Sequence, residues 1–263
     1  MLSSINENPP YNIGICLSGG GALGLAHIGA LRALEENGIY PDAISGSSMG
    51  SIVGVLYAAG YSPDEMEKII IREHLTNPFR LFDFRLFSKT GFSSHHTLRQ
   101  LLQKYVPEND FAALKKKLAV CVVNLNNGKW EIVDSGQKLH EYIVASSSIP
   151  MFYEVQEIDG YTYVDGGVLN NLPVEPLKSS CKRVIGIDVM PYVEQKSFDN
   201  KLSIVSSYIY LQNHNNSKKR QKLCDDLIIV NSIEKHHAFS FNAYKEIIQS
   251  GYDCTVKYLE SIG

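Results

Sequence analysis

The stretch Ile13-Gly14-Ile15-Cys16-Leu17-Ser18-Gly19-Gly20-Gly21-Ala22-Leu23-Gly24 decides the fold. Its apolar half, Ile13 to Leu17, has the length of a strand and stops at a run of glycines, as a buried strand entering a tight loop does. From Leu23 the spacing changes. Leu23, Ala26, Ala30, Leu31 and Leu34 mark one face of a helix, with Gly38 as its terminator. Strand, glycine loop and helix, in that order, form the opening unit of an α/β fold.

Outward from that unit the same grammar recurs. Ala43 to Ser45 reads as a brief strand, Gly46-Ser47-Ser48-Met49-Gly50 as a turn of small residues, and Ile52 to Ala59 as a helix buried nearly all round. Ser62-Pro63-Asp64-Glu65 supplies an N-cap, a proline at the first helical position and a glutamate at the third, which predicts a helix from Pro63 to about His74. Residues 76–96 break the pattern. Phe79, Phe82, Phe84, Phe87 and Phe92 interleave with Arg80, Arg85 and Lys89 without a clean period, and the segment reads either as a lid or as an acyl-channel and bilayer-contacting loop.

Helical spacing returns over Thr97 to Tyr105. Leu118 to Leu125 and Lys129 to Val133 are strands joined at Asn126-Asn127-Gly128. A short helix ends at Ser146-Ser147-Ser148, and Phe152–Ile158 and Tyr161–Val164 form a hairpin across Asp159-Gly160. Arg183–Val189 and Leu227–Val230 are further strands, with helices around 203–222 and 242–260. The expectation is a largely parallel central sheet sandwiched by helices, a three-layer α/β/α arrangement. It occupies one domain over 1–263, with a polar tail at 1–11 and a C-terminal helical portion at about 200–263.

Bulk properties exclude several classes. With 44% hydrophobic and 20% charged residues the chain is ordinary for a globular protein. A net charge of −3 gives no reason to expect nucleic acid as a partner. Five scattered cysteines without a C-x-x-C pair favour free thiols and a cytoplasmic location. The polar start carries no secretory signal, and no apolar run approaches the roughly 20 residues that span a bilayer. Any contact with a membrane would be transient and peripheral. No spaced cluster of ligating side chains calls for a metal, no cofactor is expected, and nothing in the sequence speaks to oligomeric state.

Two motifs carry chemistry. Gly46-x-Ser48-x-Gly50, between a short strand and an apolar helix, has the setting of a nucleophile elbow, with the serine hydroxyl lifted to the positive end of the following helix. Gly19 to Gly24 matches G-x-G-x-x-G, and its backbone could cradle a dinucleotide pyrophosphate or aim N–H groups at an oxyanion. A dinucleotide site wants an acid at the end of the second strand, whereas Asp42 precedes that strand. The eight histidines (His27, His74, His95, His96, His140, His214, His236 and His237) include none in the strand-end turn expected of a catalytic base. Asp165, between a strand and Gly166-Gly167, is better placed, and partial desolvation would raise its pKa toward useful values.

Taken in order, the glycine loop, the Ser48 elbow and Asp165-Gly166-Gly167 resemble the patatin-like phospholipase family. The likeness extends through Leu25-Ala26-His27-Ile28-Gly29, Ala145-Ser146-Ser147-Ser148-Ile149-Pro150 and Val168-Leu169-Asn170-Asn171-Leu172-Pro173, covering about residues 12 to 190. The resemblance implies a Ser48–Asp165 dyad without histidine. Ser48 is the nucleophile and Asp165 the proton acceptor, Gly19, Gly20 and Gly21 form an oxyanion hole, and Gly24, Gly46, Met49, Gly50, Gly166 and Gly167 support the motifs. It implies release of fatty acid from a lipid or acyl ester, without metal or cofactor. One departure stands out: Leu23 occupies a position where the family usually has Arg or Lys, which weakens attraction for an anionic headgroup. The rival expectations are an acyltransferase working through acyl-Ser48, a dinucleotide-binding oxidoreductase built on the glycine loop, and a lipid-binding protein with a silent site.

Overall fold

A computed structural model describes residues 9–75, 91–93, 95–190, 201–233 and 235–263. The expected Phe-rich lid falls almost wholly on residues 76–90, outside the described residues. Strand β1 (Tyr11–Leu17) starts at Tyr11, so the polar tail gives way one residue earlier than its letters suggest, because Tyr11 already pairs with Cys181. A 3-10 turn at Gly21–Leu25 then leads into α1 (Ala26–Glu36). The helix expected from Leu23 thus begins with a tighter coil.

There follow β2 (Ala43–Gly46), α2 (Met49–Ala59) and α3 (Pro63–Arg72). The capping box of α3 is formed as its sequence implies, with the Glu65 backbone N–H donating to Ser62 Oγ and the Ser62 N–H donating to the Glu65 carboxylate. Beyond β3 (Gly91–Ser93) come α4 (His96–Tyr105), β4 (Lys117–Asn124), β5 (Lys129–Val133) and α5 (Leu139–Ser146). The rest is β6 (Met151–Tyr153), β7 (Gln156–Ile158), β8 (Tyr161–Asp165), α6 (Glu175–Lys178), β9 (Cys181–Asp188), α7 (Lys201–Gln221), β10 (Asp226–Ile229) and α8 (Tyr244–Ile262).

The described strands form a mixed sheet in the order β10-β9-β1-β2-β4-β8-β7, with β5 also on β4. The five from β10 to β4 are parallel, and β5, β8 and β7 join antiparallel. Sequence reading placed Phe152–Ile158 in one strand of a hairpin. In the structure that run divides: β7 keeps the hairpin with β8, while β6 turns away to pair with β3. The inner strands are continuous apolar runs, as a sheet covered on both faces requires. Ile15, Leu17, Ile44, Val120 and Val122 are all fully buried.

Helices α1 and α8 cross at backbone contact. A Cβ on Gly29 would lie 1.9 Å from the Ile248 carbonyl oxygen, and one on Gly251 would lie 1.9 Å from that of Ala26. The C-terminal helix is thereby locked against the helix that carries the glycine loop, and the loop inherits a rigid floor.

Candidate active site

Strands β1 and β2 are adjacent and parallel, so the glycine loop and the Ser48 turn leave the same carboxyl edge of the sheet side by side, where open α/β sheets place their ligands. Strand β8 reaches the same spot from the opposite direction. Gly46 at the end of β2 pairs with Val120 of β4, and Asp165 at the end of β8 pairs with Val122, two residues further along. The C-terminal ends of β2 and β8 therefore converge along one strand. A Cβ on Gly166 would sit 2.3 Å from the Cys121 carbonyl oxygen and 2.8 Å from Ser47 Oγ, which shows how closely the two ends meet.

Ser48 has φ 52° and ψ −127°. The Gly50 N–H donates to the Ser47 carbonyl at 2.8 Å, closing a turn in which Ser48 takes the first central position of a type II′ turn, one that glycine normally fills. A non-glycine residue there is strained by about 1–3 kcal/mol. What holds it is the surrounding backbone. The Ser48 N–H donates to Ser146 Oγ at 3.0 Å, and the Ser48 carbonyl accepts from Ser51 Oγ at 2.7 Å. The turn also lies so close to β1 that a Cβ on Gly50 would fall 2.2 Å from the Leu17 carbonyl oxygen. The second motif glycine is there for space.

Asp165 is almost fully buried at the end of β8. Its Oδ1 accepts the Gly167 N–H at 2.7 Å, while Oδ2 is buried without a partner in full hydrogen-bond geometry. Burial pushes the carboxyl up to about 7, and the nearby Ser48 hydroxyl and the Gly167 N–H pull back against that rise. The Ser48 side chain is thus close enough to Asp165 to act on its charge. A carboxyl near 7 is matched to accepting a proton at neutral pH.

The glycine loop divides its amides. The Gly19 N–H, expected as an oxyanion donor, is occupied by the Asn171 carbonyl at 3.1 Å. Among the described residues the N–H groups of Gly20, Gly21 and Met49 donate to no protein acceptor, and all three residues line the hollows at Ser48. Gly24 is packed against Met49, and Leu23 is buried in the core instead of offering a side chain to the cleft. Asp42 is no ribose-binding acid: its carboxylate accepts the N–H groups of Asn12 and Ile13 at the amino end of the sheet, away from the loop.

Two histidines lie near the loop and the inner hollow. His27 is buried beneath the loop and shares a 2.8 Å hydrogen bond with the Ser18 carbonyl; burial lowers its pKa to about 4, so the neutral ring donates. His95 stacks on Tyr153 at 4.1 Å, and burial together with the Arg99 charge lowers it to about 3, making it a feeble base.

Two hollows meet at Ser48. The inner one, about 110 Å³, is walled by apolar side chains that include Leu25, Ile28, Ile52, Leu56 and Phe239. The outer one, about 410 Å³, holds Ser48 and Asp165 together with Asn171, Tyr208, Gln212 and Asn213. The last three, contributed by α7, escaped the sequence reading, because no local spacing ties a helix forty residues past the motifs to the cleft. Ser146 and Asn171 lay within stretches already singled out, without an assigned task. Among the described residues no cluster of His, Cys, Asp or Glu is arranged to hold a metal ion.

Comparison with known proteins fits this geometry. The family model described as patatin-like phospholipase matches residues 15–178. Lysophospholipase NTE1 of Saccharomyces cerevisiae is 24% identical over 95% of this chain and 16% of its own length. The patatin-like phospholipase domain-containing protein ZK370.4 of Caenorhabditis elegans is 29% identical over 77% of this chain and 15% of its own. The chain thus spans about a sixth of the length of such curated relatives. Among solved structures, VipD from Legionella pneumophila shares the fold at a TM-score of 0.56 and 15% identity, over 96% of this chain and 67% of that one. Human GIVD cytosolic phospholipase A2 does so at 0.55 and 9%, over 100% and 60%. The family match takes in the glycine loop, the Ser48 turn and the Asp165 turn, and the chain belongs to the patatin-like phospholipase family.

Proposed function

We propose that the chain is a serine acyl hydrolase that releases fatty acid from single-chain or double-chain lipid esters through a Ser48–Asp165 dyad. One observation carries the reading: a strained serine and a buried carboxyl with a pKa near 7 meet where a narrow apolar hollow opens into a wider one that carries Asn171, Gln212 and Asn213 among its walls. The acyl chain lies in the inner hollow and the alcohol portion in the outer cleft.

Asp165, ionised above about pH 7, takes the proton of the Ser48 hydroxyl as Oγ attacks the ester carbonyl. The resulting oxyanion is met by the unpaired amides of Gly20 and Gly21, aided by the amino end of α2 at Met49. Collapse of the tetrahedral adduct breaks the bond to the alcohol oxygen, which leaves with the proton held by Asp165. Water then enters, gives a proton to Asp165 and attacks the acyl-serine. Fatty acid departs and Ser48 regains its proton. The lysophospholipase names of the fungal relatives support a substrate with one acyl chain, and the narrowness of the inner hollow is in keeping with that.

The test is mass spectrometry of a mixed lipid extract incubated with the wild-type protein and with Ser48→Ala. Disappearance of lyso-lipid or phospholipid with matching fatty acid release, absent in Ser48→Ala, is expected. Equal lipid profiles in the two samples would end the reading.

A further inference from the structure

Helix α7 presents to solvent a face that the cleft alone does not explain. Ile204, Tyr208 and Leu211 are 54%, 62% and 43% exposed, far more than apolar side chains gain from leaving in water. At 100° per residue, positions 204, 208, 211, 215 and 218 of α7 fall on one stripe, Asn215 and Lys218 continue it as exposed side chains with Lys219 at its edge, and Lys222 is exposed in the turn just after the helix. The stripe is therefore apolar at its N-terminal half and basic at its C-terminal half. Among the described residues no carboxylate pairs with those three lysines. In a protein of net charge −3 this is a local reversal of sign.

The stripe is continuous with the mouth of the site. Tyr208 belongs both to it and to the wall of the outer cleft. The same helix is fastened to the turn that follows Asp165, where Asn216 Nδ2 donates to the Val168 carbonyl at 3.0 Å, and Val168 itself stands 38% exposed at the rim. A surface lying against this stripe would cover the opening through which the alcohol portion of a substrate enters.

We infer that this face of α7 docks the protein on an anionic lipid bilayer, with Ile204, Tyr208 and Leu211 entering the interfacial layer and Lys218, Lys219 and Lys222 meeting lipid phosphates. The inference rests on the acyl hydrolase reading, which supplies the reason for the cleft to face a membrane. The charge pattern selects the occupant: a leaflet containing phosphatidylserine presents both apolar depth for the N-terminal half of the stripe and negative surface for its basic half.

The experiment is vesicle sedimentation of the full chain carrying Ser48→Ala, so that the lipid stays intact. One set of vesicles is phosphatidylcholine; the other is about three parts phosphatidylcholine to one part phosphatidylserine. The parent is expected to bind the mixed vesicles more tightly. Adding Ile204→Glu with Leu211→Glu should weaken binding to both sets by at least ~10-fold. Adding Lys218→Glu, Lys219→Glu and Lys222→Glu should remove the preference for phosphatidylserine, again by ~10-fold or more. With Ser48 intact, both sets of substitutions should leave hydrolysis of a water-soluble p-nitrophenyl ester unchanged, which certifies the fold.

Binding by the Ile204→Glu/Leu211→Glu protein equal to its parent overturns the proposal, and so does an absence of vesicle binding by the parent. A concentration-dependent dimer in gel filtration that the same pair abolishes, without vesicle binding, would assign the stripe to self-association instead. Stripe-dependent vesicle binding by a protein that hydrolyses no ester would uphold the docking surface while defeating the hydrolase reading.

Discussion

The two hollows that share Ser48 make different demands. The inner one offers a ligand almost nothing but van der Waals contact and exclusion of water, so it discriminates by length and girth. The outer one is nearly four times larger and, among walls that are still largely apolar, carries a carboxyl, two asparagines, a glutamine and a tyrosine, so it adds hydrogen bonding to shape. Ser48 lies at the boundary, and Asp165 lines the outer hollow beside it. Asp165 opens on the larger hollow, yet burial alone pushes its carboxyl up to about 7.

The boundary itself is the first place to break this division. Asp165→Asn keeps the shape and removes the proton acceptor, and ester turnover should fall by about 10²–10⁴ in a p-nitrophenyl ester assay. If the variant keeps its rate, the two hollows meet at a site that does not depend on that carboxyl.

The same substitution sharpens the electrostatic half of the comparison. The folded pKa of about 7 lies above the ordinary aspartate value of 3.8, so native Asp165 holds its proton where the unfolded chain has released it. Stability from this group is fully present below about 3.8 and is lost as pH rises to 7. Asp165→Asn should therefore be the more stable protein above pH 7, by up to roughly 4 kcal/mol, and should show no such gain in acid. Urea melts across that range check it. The wild-type rate, by contrast, should climb with pH through about 7 as the base ionises.

Smaller effects separate the two compartments. Ile52→Phe fills part of the inner hollow, so kcat/KM for long-chain p-nitrophenyl esters should fall ~10-fold while short-chain esters keep theirs. Gln212→Ala touches only the outer cleft. It should raise KM for a phospholipid by a few-fold, the worth of one neutral hydrogen bond, and leave simple esters unaffected at every chain length.

How much of this could be read from letters follows from range. Ile13 to Leu34 declares itself because a strand, a glycine stop and a helical period are all local, and the Ser62–Glu65 box is a four-residue device with its own chemistry. The pairing of Ser48 with Asp165 was legible only through family likeness, since no periodicity links positions so far apart. Three things stayed hidden for physical reasons. Gly19 loses its amide to Asn171, a bond decided by how two loops stack. Strand β6 departs from its expected hairpin because β3 offers another edge, and short apolar runs do not say which edge they will choose. Helix α7 looks from its sequence like a solvated rod, and only its placement against the Gly166–Val168 turn makes it a wall of the cleft.

The backbone at Ser48 has one more implication, for how this protein would age under selection. With φ at 52°, the residue sits where glycine would rest at ease, so Ser48→Gly should melt at a higher temperature than the wild type while Ser48→Ala keeps the strain. A screen for heat tolerance alone would drift toward the sturdier, inert sequence. The hydroxyl persists only if something other than durability is being chosen.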